Sequence, residues 1–320
     1  MSDPLVSICI PTYNQERFLK ETIESAIRQS FVNFEVIVVD DCSTDSTAEI
    51  ARNYAFLDSR IRFLANSANL GMVPNWNRCL ELARGIYIKF LFGDDLLTSP
   101  DTLKRMVEIL DGDRGVSLIA SARNIVDEDS QILEAVAEFP DGVRIGGKEL
   151  ISRCLDSIID LHNPIGEPSV VMFRKSEASR GFNTRYHQLV DLEMWFHLLE
   201  QGNFAFIGEP LCAFRSHCEQ QTVKNQQNFS YIDDMFYLFD DYLGRPYTGV
   251  GLFAQRYAFF KLAYACWKEL RGRNVAIWKI GNHVSLAKFF PQLILYRLYV
   301  PFRNVSRSIA KRWRAWKMRK

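Results

Sequence analysis

The chain lacks the ~20-residue apolar run that a helix needs to cross a bilayer. FFPQLILYRLYVPF, at residues 289–302, comes nearest, but Pro291, Arg297 and Pro301 interrupt it. No internal repeat or low-complexity stretch is evident, which excludes solenoid and fibrous architectures. Neither G-x-G-x-x-G nor a Walker A pattern occurs, so dinucleotide and P-loop chemistry lose their main support. The seven cysteines are odd in number and scattered (Cys9, Cys42, Cys79, Cys154, Cys212, Cys218, Cys266), mostly within apolar runs, which suits a reducing compartment better than a disulfide framework. Cys212, His217 and Cys218 do not have zinc-finger spacing. The opening Met1-Ser2-Asp3-Pro4 lacks the basic and apolar regions of a secretion signal, so the expected location is intracellular.

The 320 residues that remain after these exclusions can bury a large core. Net charge is +1, but residues 301–320 hold eight Lys or Arg and no acid, so the first 300 residues are acidic overall. Over residues 1–120, short apolar runs alternate with helical patterns, the signature of βαβ units. Leu5–Ile10, Phe34–Val39, Ile61–Leu64, Tyr87–Phe92 and Val116–Ala120 are expected strands. Helices are expected over 15–29, from Asp45 or Ser46 to about Tyr54, over Val73–Ala83 and over Thr102–Leu110. Further on, Ser169–Phe173 and Phe204–Phe206 predict strands and Leu189–Gln201 a helix. Tyr231–Tyr242 and Leu252–Arg271 then predict helices, with a further segment from Asn274 into the basic tail. The expected fold is α/β, a mostly parallel sheet flanked by helices with a helical C-terminal extension. Such sheets bind ligands beyond the carboxyl ends of their strands.

Those strand ends carry the chemistry-bearing residues. The first strand runs into Pro11-Thr12-Tyr13-Asn14 and the second into Asp40-Asp41-Cys42-Ser43-Thr44-Asp45. Acids there either hydrogen-bond a nucleoside or form an Asx turn and helix cap. Gly71, in the loop Asn66–Gly71, says only that the backbone turns. The fourth strand ends in Phe92-Gly93-Asp94-Asp95. Neighbouring carboxylates repel, and a divalent cation with a diphosphate makes the pairing favourable; the other reading is a loop before a helix start. Trp76 is expected to pack in the core, and Lys89 to reach solvent at its strand's edge.

VSICIPTYNQERFLKETIESAIRQSFVNFEVIVVDDCSTDST and NSANLGMVPNWNRCLELARGIYIKFLFGDD resemble the family 2 glycosyltransferases. The resemblance covers about residues 5–220 and implies the Rossmann-like GT-A fold, an inverting mechanism and a nucleotide-sugar donor. It also implies that Asp41 contacts the base, that Pro11, Thr12 and Tyr13 help hold it, that Asp94 meets the ribose, and that Asp95 binds Mg²⁺ or Mn²⁺. Val190-Asp191-Leu192-Glu193-Met194-Trp195 is similar to a later block in which Asp191 is the general base. Without the family, Asp191 and Glu193 are ordinary first-turn acids of a helix. Arg215-Ser216-His217 is similar to an Arg-x-His pattern in which His217 approaches the metal or diphosphate; otherwise the histidine is structural. Phe92 replaces a common Asp, and Val190 a common Glu.

These features predict a transferase domain over 1–225, with a nucleotide-sugar half at 1–120 and an acceptor half at 121–225. A helical extension over 226–300 and a basic tail over 301–320 follow. The acceptor is expected to be a saccharide or lipid-linked glycan, as in surface polysaccharide assembly. Val305, Ile309, Trp313 and Trp316 among the eight basic residues predict a tail lying on the inner face of a membrane, with a solvated tail or nucleic-acid contact as the weaker options. No nucleic-acid partner is expected. Two rival functions are an inactive nucleotide-binding scaffold, for which Phe92 and Val190 would be the scars, and a nucleotidyltransferase, for which no Gly- and Arg-rich triphosphate loop is present.

Overall fold

β1 (Val6–Thr12) and β2 (Phe34–Asp40) are buried along their whole length, as strands covered on both faces must be. They pair in parallel, from Val6 with Phe34 to Thr12 with Asp40. Between them α1 (Leu19–Ile27) buries Leu19, Thr22, Ile23 and Ala26, the spacing of a single helix face. The same rhythm gives α2 (Thr47–Leu57), β3 (Ile61–Ala65), α3 (Met72–Leu82) and β4 (Tyr87–Phe90). β3 joins β2 in parallel, whereas β4 joins the opposite side of β1. The strand order thus reverses at β1, the type of switch point where open α/β sheets hold ligands. In this computed structural model the described residues are 3–157, 163–218, 220, 225 and 231–272.

The remaining elements of the sheet unit are β5 (Leu96–Leu97), α4 (Thr102–Gly112), β6 (Val116–Val126), β7 (Ile132–Val136), β8 (Arg144–Ile145), α5 (Gly147–Ser157), β9 (Val171–Arg174), α6 (Val190–Leu199) and β10 (Asn203–Arg215). The sheet runs β3-β2-β1-β4-β9-β6-β10-β5, with β7 paired to β6 and β8 to β10. β9 is antiparallel to both of its neighbours, while β6 and β10 are parallel. The sheet is therefore mixed on this side. β10 extends well past the expected Phe204–Phe206, because the register shifts on either side of Pro210 let the strand continue through Gly208-Glu209-Pro210. The expected Ser169–Phe173 strand begins instead as a 3₁₀ turn, Pro168–Val170, before β9.

Lys89 departs from expectation. It is fully buried, because β4 is an interior strand between β1 and β9 and offers no edge. Its ammonium donates to the Ser169 carbonyl and lies 3.6 Å from Cys212 Sγ, and burial lowers its pKa. Trp76 is buried as expected, with its ring 4.9 Å from Phe92 and 5.2 Å from Phe182.

The chain divides into two units, Met1–Ser230 and Tyr231–Lys320. Within the second, α7 (Tyr231–Leu238) continues as a π-helical turn, Phe239–Leu243, and α8 spans Leu252–Gly272. Phe259 of α8 stacks on Phe236 at 6.4 Å and meets Phe239 edge-on at 5.6 Å. Among the described residues no helix is long and apolar enough to cross a membrane. The segment expected from Asn274, the run at 289–302 and the basic tail at 301–320 lie outside the described residues.

A buried polar knot ties β1 to the start of β4. Glu35 Oε1 accepts from Ser7 Oγ and from the Arg84 amide, both at 2.8 Å, and the Gly85 amide donates to Ser7 Oγ at 2.8 Å. A β-carbon at Gly85 would stand 2.5 Å from the Ser7 amide nitrogen and 2.7 Å from the Val6 carbonyl carbon. Backbone on both sides cannot give way cheaply, so Gly85→Ala is expected to destabilise the protein by about 1–3 kcal/mol. A urea midpoint equal to that of the wild type would disprove this.

Candidate active site

The loops after β1 and β2 are stitched together before any ligand arrives. The Asn14 amide donates to Ser43 Oγ at 2.9 Å, the Thr44 amide to Asn14 Oδ1 at 2.9 Å and the Gln15 amide to Thr47 Oγ1 at 2.7 Å. Asp45 accepts from the Glu16 amide at 3.1 Å and from the Thr47 amide at 3.0 Å, while Glu16 accepts from the Ser46 amide at 2.8 Å. Asp45 therefore works as a turn and linker residue. Pro11 and Thr12 end β1 in buried positions, and the Tyr13 ring is 46% exposed, available to stack on a planar group. Thr12 Oγ1 is buried with no hydrogen-bond partner, close under Gly93: a β-carbon there would stand 3.0 Å from it.

Asp41 organises the third loop. Its carboxylate accepts from Asn66 Nδ2, the Leu70 amide and the Gly71 amide, each at 2.8 Å. Gly71, at φ 88°, turns its N–H toward that carboxylate. Three of the roughly four lone-pair directions of a carboxylate are thereby used within the protein.

Asp94 and Asp95 part company. Asp95 is 1% exposed; one oxygen accepts from Ser169 Oγ and the other from the Arg215 amide at 3.0 Å. Burial and the neighbouring Asp94 charge push its carboxyl well above the usual range. Asp94 keeps 15% of its side chain open, and its Oδ2 lies 3.0 Å from His217 Nε2. Asp95, expected as the metal ligand, is thus the enclosed carboxyl, and Asp94, expected at the ribose, is the carboxylate facing a histidine.

Arg215 holds this arrangement in place. Its side chain is 1% exposed and donates from Nε to the Asp94 carbonyl at 2.9 Å. Nη1 reaches the Asp127 and Glu128 carbonyls and Ser130 Oγ, and Nη2 meets Glu21 at 2.7 Å. The guanidinium lies 4.7 Å over the Phe18 ring, which is 5.1 Å from the His217 ring.

Asp191 opens α6 at the other end of a short strap. Asn163 Nδ2 donates to Asp191 Oδ2 at 3.3 Å and to the Gly166 carbonyl at 3.2 Å, and Trp195 Nε1 donates to the same carbonyl at 3.0 Å. Six residues on from Asn163, Ser169 binds Asp95. The Asp191 residue is only half-buried, but its carboxyl is enclosed by its neighbours. Burial first, then the charge of Glu167, pushes it up to about 7. Glu193 faces elsewhere: it is 3% exposed, and its two carboxylate oxygens accept from Arg180 at 2.8 and 2.9 Å.

Asp94, Asp95 and His217 are therefore contiguous, Asp191 is tied to them through the Asn163–Ser169 strap, and Pro11–Tyr13 and Asp41 line neighbouring strand ends. Glu21, Asn163, Glu167, Ser169 and Arg123 were missed in the sequence, where nothing in their local pattern sets them apart.

Residues 7–146 match the profile of Glycosyl transferase family 2. The chain is 32% identical over 205 residues to the putative glycosyltransferase EpsE of Bacillus subtilis (strain 168), covering 63% of this chain and 69% of EpsE. TuaG of the same organism, a putative teichuronic acid biosynthesis glycosyltransferase, is 29% identical over 215 residues, covering 66% of this chain and 79% of TuaG. The mannosyltransferase PcManGT from Pyrobaculum calidifontis, solved with GDP-Man and Mn²⁺, is similar at a TM-score of 0.58 and 18% identity, over 95% of this chain and 83% of that one. At that identity the likeness is one of fold.

Proposed function

The chain belongs to glycosyl transferase family 2 and is a glycosyltransferase of GT-A fold, and from that premise we propose an inverting transfer of a sugar from a nucleoside diphosphate to an acceptor hydroxyl. Asp94 beside His217 at one end of the strap, with the enclosed Asp191 at the other, carries this reading. We assign the nucleoside to the open side of the β1 and β2 loops, with Tyr13 stacking, Pro11 and Thr12 as floor, and Asp41 keeping the Asn66–Gly71 loop rigid.

A Mg²⁺ or Mn²⁺ ion fits the carboxylate oxygen of Asp94 and the imidazole of His217, a mixed O/N pair suited to Mn²⁺. Bound there, it would neutralise charge growing on the departing diphosphate. Asp95, whose oxygens are already engaged, supports the loop and is not assigned as a ligand. Among the described residues, no three or more His, Cys, Asp or Glu gather closely enough to hold an ion by themselves. Metal and diphosphate are thus expected to bind together.

Asp191 takes the acceptor proton. As the O–H bond breaks, the acceptor oxygen forms its bond to the anomeric carbon on the face opposite the diphosphate. The anomeric C–O bond breaks with its electron pair passing to the diphosphate. A carboxyl titrating near 7 is matched to that task at neutral pH. TuaG's name gives teichuronic acid biosynthesis to TuaG; for this chain we propose the broader class, a cell-surface glycan acceptor. The basic, aromatic tail would hold the enzyme on the inner face of an anionic membrane.

Calorimetry with UDP, GDP, TDP and CDP, with and without Mn²⁺, is the direct test. One nucleotide should bind in a Mn²⁺-dependent manner; Asp94→Asn should lose that dependence, and His217→Ala should need about tenfold more Mn²⁺ or beyond. Unchanged Mn²⁺ dependence in Asp94→Asn would refute the assignment, and binding without any turnover would favour the scaffold.

Asp191→Asn is expected to abolish transfer while keeping donor binding. Because burial raises the pKa of this acid, its basic form is present above about pH 7 and is lost as pH falls through that value. kcat/KM should fall on the acid side accordingly, and a flat profile from pH 6 to 8 would exclude Asp191 as the base.

For the tail, the full chain should sediment with phosphatidylserine-containing vesicles at low salt and release at high salt. A chain with residues 301–320 removed that still sediments would sink the membrane assignment.

A further inference from the structure

Asn163 uses both ends of its side-chain amide. Its Oδ1 accepts from the Ile165 amide at 3.1 Å and from the Gly166 amide at 3.2 Å, an Asx turn that fixes which way round the group lies. Nδ2 is thereby directed to the Gly166 carbonyl at 3.2 Å and to Asp191 Oδ2 at 3.3 Å. An amide nitrogen carries two hydrogens, so it can serve both acceptors together.

The strap that presents this amide is itself fixed. Gly166 lies at φ 105°, and a β-carbon there would stand 2.5 Å from Val170 Cγ2, so the position requires glycine. The Gly166 carbonyl also accepts from Trp195 Nε1 at 3.0 Å. Asp191 and Trp195 are four residues apart on α6 and share one face, which the strap contacts at both residues. At the far end of the strap Ser169 donates to Asp95. The second oxygen of Asp191, Oδ1, accepts from the Leu192 amide at 2.7 Å. Each carboxylate oxygen thus has one donor from the protein and keeps a lone-pair direction for substrate.

We propose that Asn163 is the positioning residue of Asp191, its amide holding Oδ2 so that the carboxylate keeps one orientation toward the acceptor hydroxyl. The role rests on the reading of Asp191 as the base. The last torsion of an aspartate is broad when nothing restrains it, whereas a donor on each oxygen presents a defined lone pair to the departing proton. A neutral amide suits this work, because a Lys or Arg in its place would hold the carboxylate at the expense of its basicity. Its donation favours the ionised form and opposes the burial that pushes Asp191 up to about 7. Among the described residues, Glu167 of the strap is the charged group that acts on Asp191. Arg123 of β6 faces Glu167 at 3.0 Å, and on α6 itself Glu193 is paired with Arg180 while His197 lies against the Glu177 carbonyl.

The test is Asn163→Asp in the full chain, which keeps an acceptor for the Asx turn but replaces the donation to Asp191 with a second carboxyl. Carbon NMR of protein labelled at the aspartate carboxyl carbons, assigned with Asp191→Asn, should show the wild-type group titrating near 7. In Asn163→Asp the two carboxyls titrate as a pair, and the upper step should lie at least about one pH unit higher. The acid limb of kcat/KM should move up with it, while affinity for the nucleoside diphosphate with Mn²⁺ stays within about twofold. A purely structural role in the strap would not move that limb. In the wild type, which needs no variant to fold, the Asn163 side-chain amide should shift with pH at the midpoint of Asp191.

An Asp191 midpoint unmoved in Asn163→Asp overturns the positioning role, and so does an Asn163 amide in the wild type that ignores the titration of Asp191. Loss of nucleoside diphosphate affinity in Asn163→Asp overturns it as well, since Asn163 would then belong to the donor site or the fold. Full transfer by Asp191→Asn removes the base reading itself, whatever Asn163 does.

Discussion

Almost everything at the working end of this sheet depends on the buried guanidinium of Arg215. A cation removed from water is tolerated only when its donors are used, and this one binds carbonyl, hydroxyl and carboxylate oxygens contributed by three separate stretches of chain. The geometry that satisfies it brings together the Asp94 loop, the turn between β6 and β7, α1 and the end of β10. His217 follows two residues later, so its place opposite Asp94 is set by the same contact. Phe18 completes the arrangement by packing against both the guanidinium and the imidazole.

A second constraint is the crowding of carboxylates at one end of the sheet, and each is handled by a different device. Asp41 is held by the loop that follows β3, two of its three donors being backbone amides. Asp95 is enclosed against Ser169 and a strand-end amide and titrates high. Asp191 is enclosed behind Asn163 and titrates near 7. Asp94 is left partly open beside a histidine. The same residue type therefore yields a loop organiser, a buried anchor, an enclosed acid that titrates near 7 and a histidine-facing carboxylate, because solvent access and donors differ at each place.

The alternation of apolar runs and helical spacing was legible, since β1, β2 and α1 bury whole strands or one helix face. β5 and β8 were not, because two residues carry too little periodicity to register, nor was β7, whose five residues are almost all exposed and offer no buried face. Lys89 misled for a related reason: whether a strand lies at an edge depends on which strand joins it, and β9, about eighty residues later, closes that side. The acidic loops stood out as short motifs, and the Arg-x-His pattern and Asp191 through the family resemblance. Glu21, Ser169, Asn163, Glu167 and Arg123 did not, as each matters only through a partner distant in sequence; Glu21 and Arg215 are 194 residues apart.

By itself the sequence determined the class of fold, the ends of the strands where chemistry would sit and the residue types offered there, because these follow from local periodicity and short motifs. Only the tertiary structure decided which of the neighbouring acids faces a histidine and which is enclosed. It also decided that Lys89 lies inside, that Asp191 titrates near neutrality and that Arg123 meets Glu167. All of these depend on burial and on partners brought in by chain folding, and the free energy of a charge is set by that surrounding medium rather than by its neighbours in sequence.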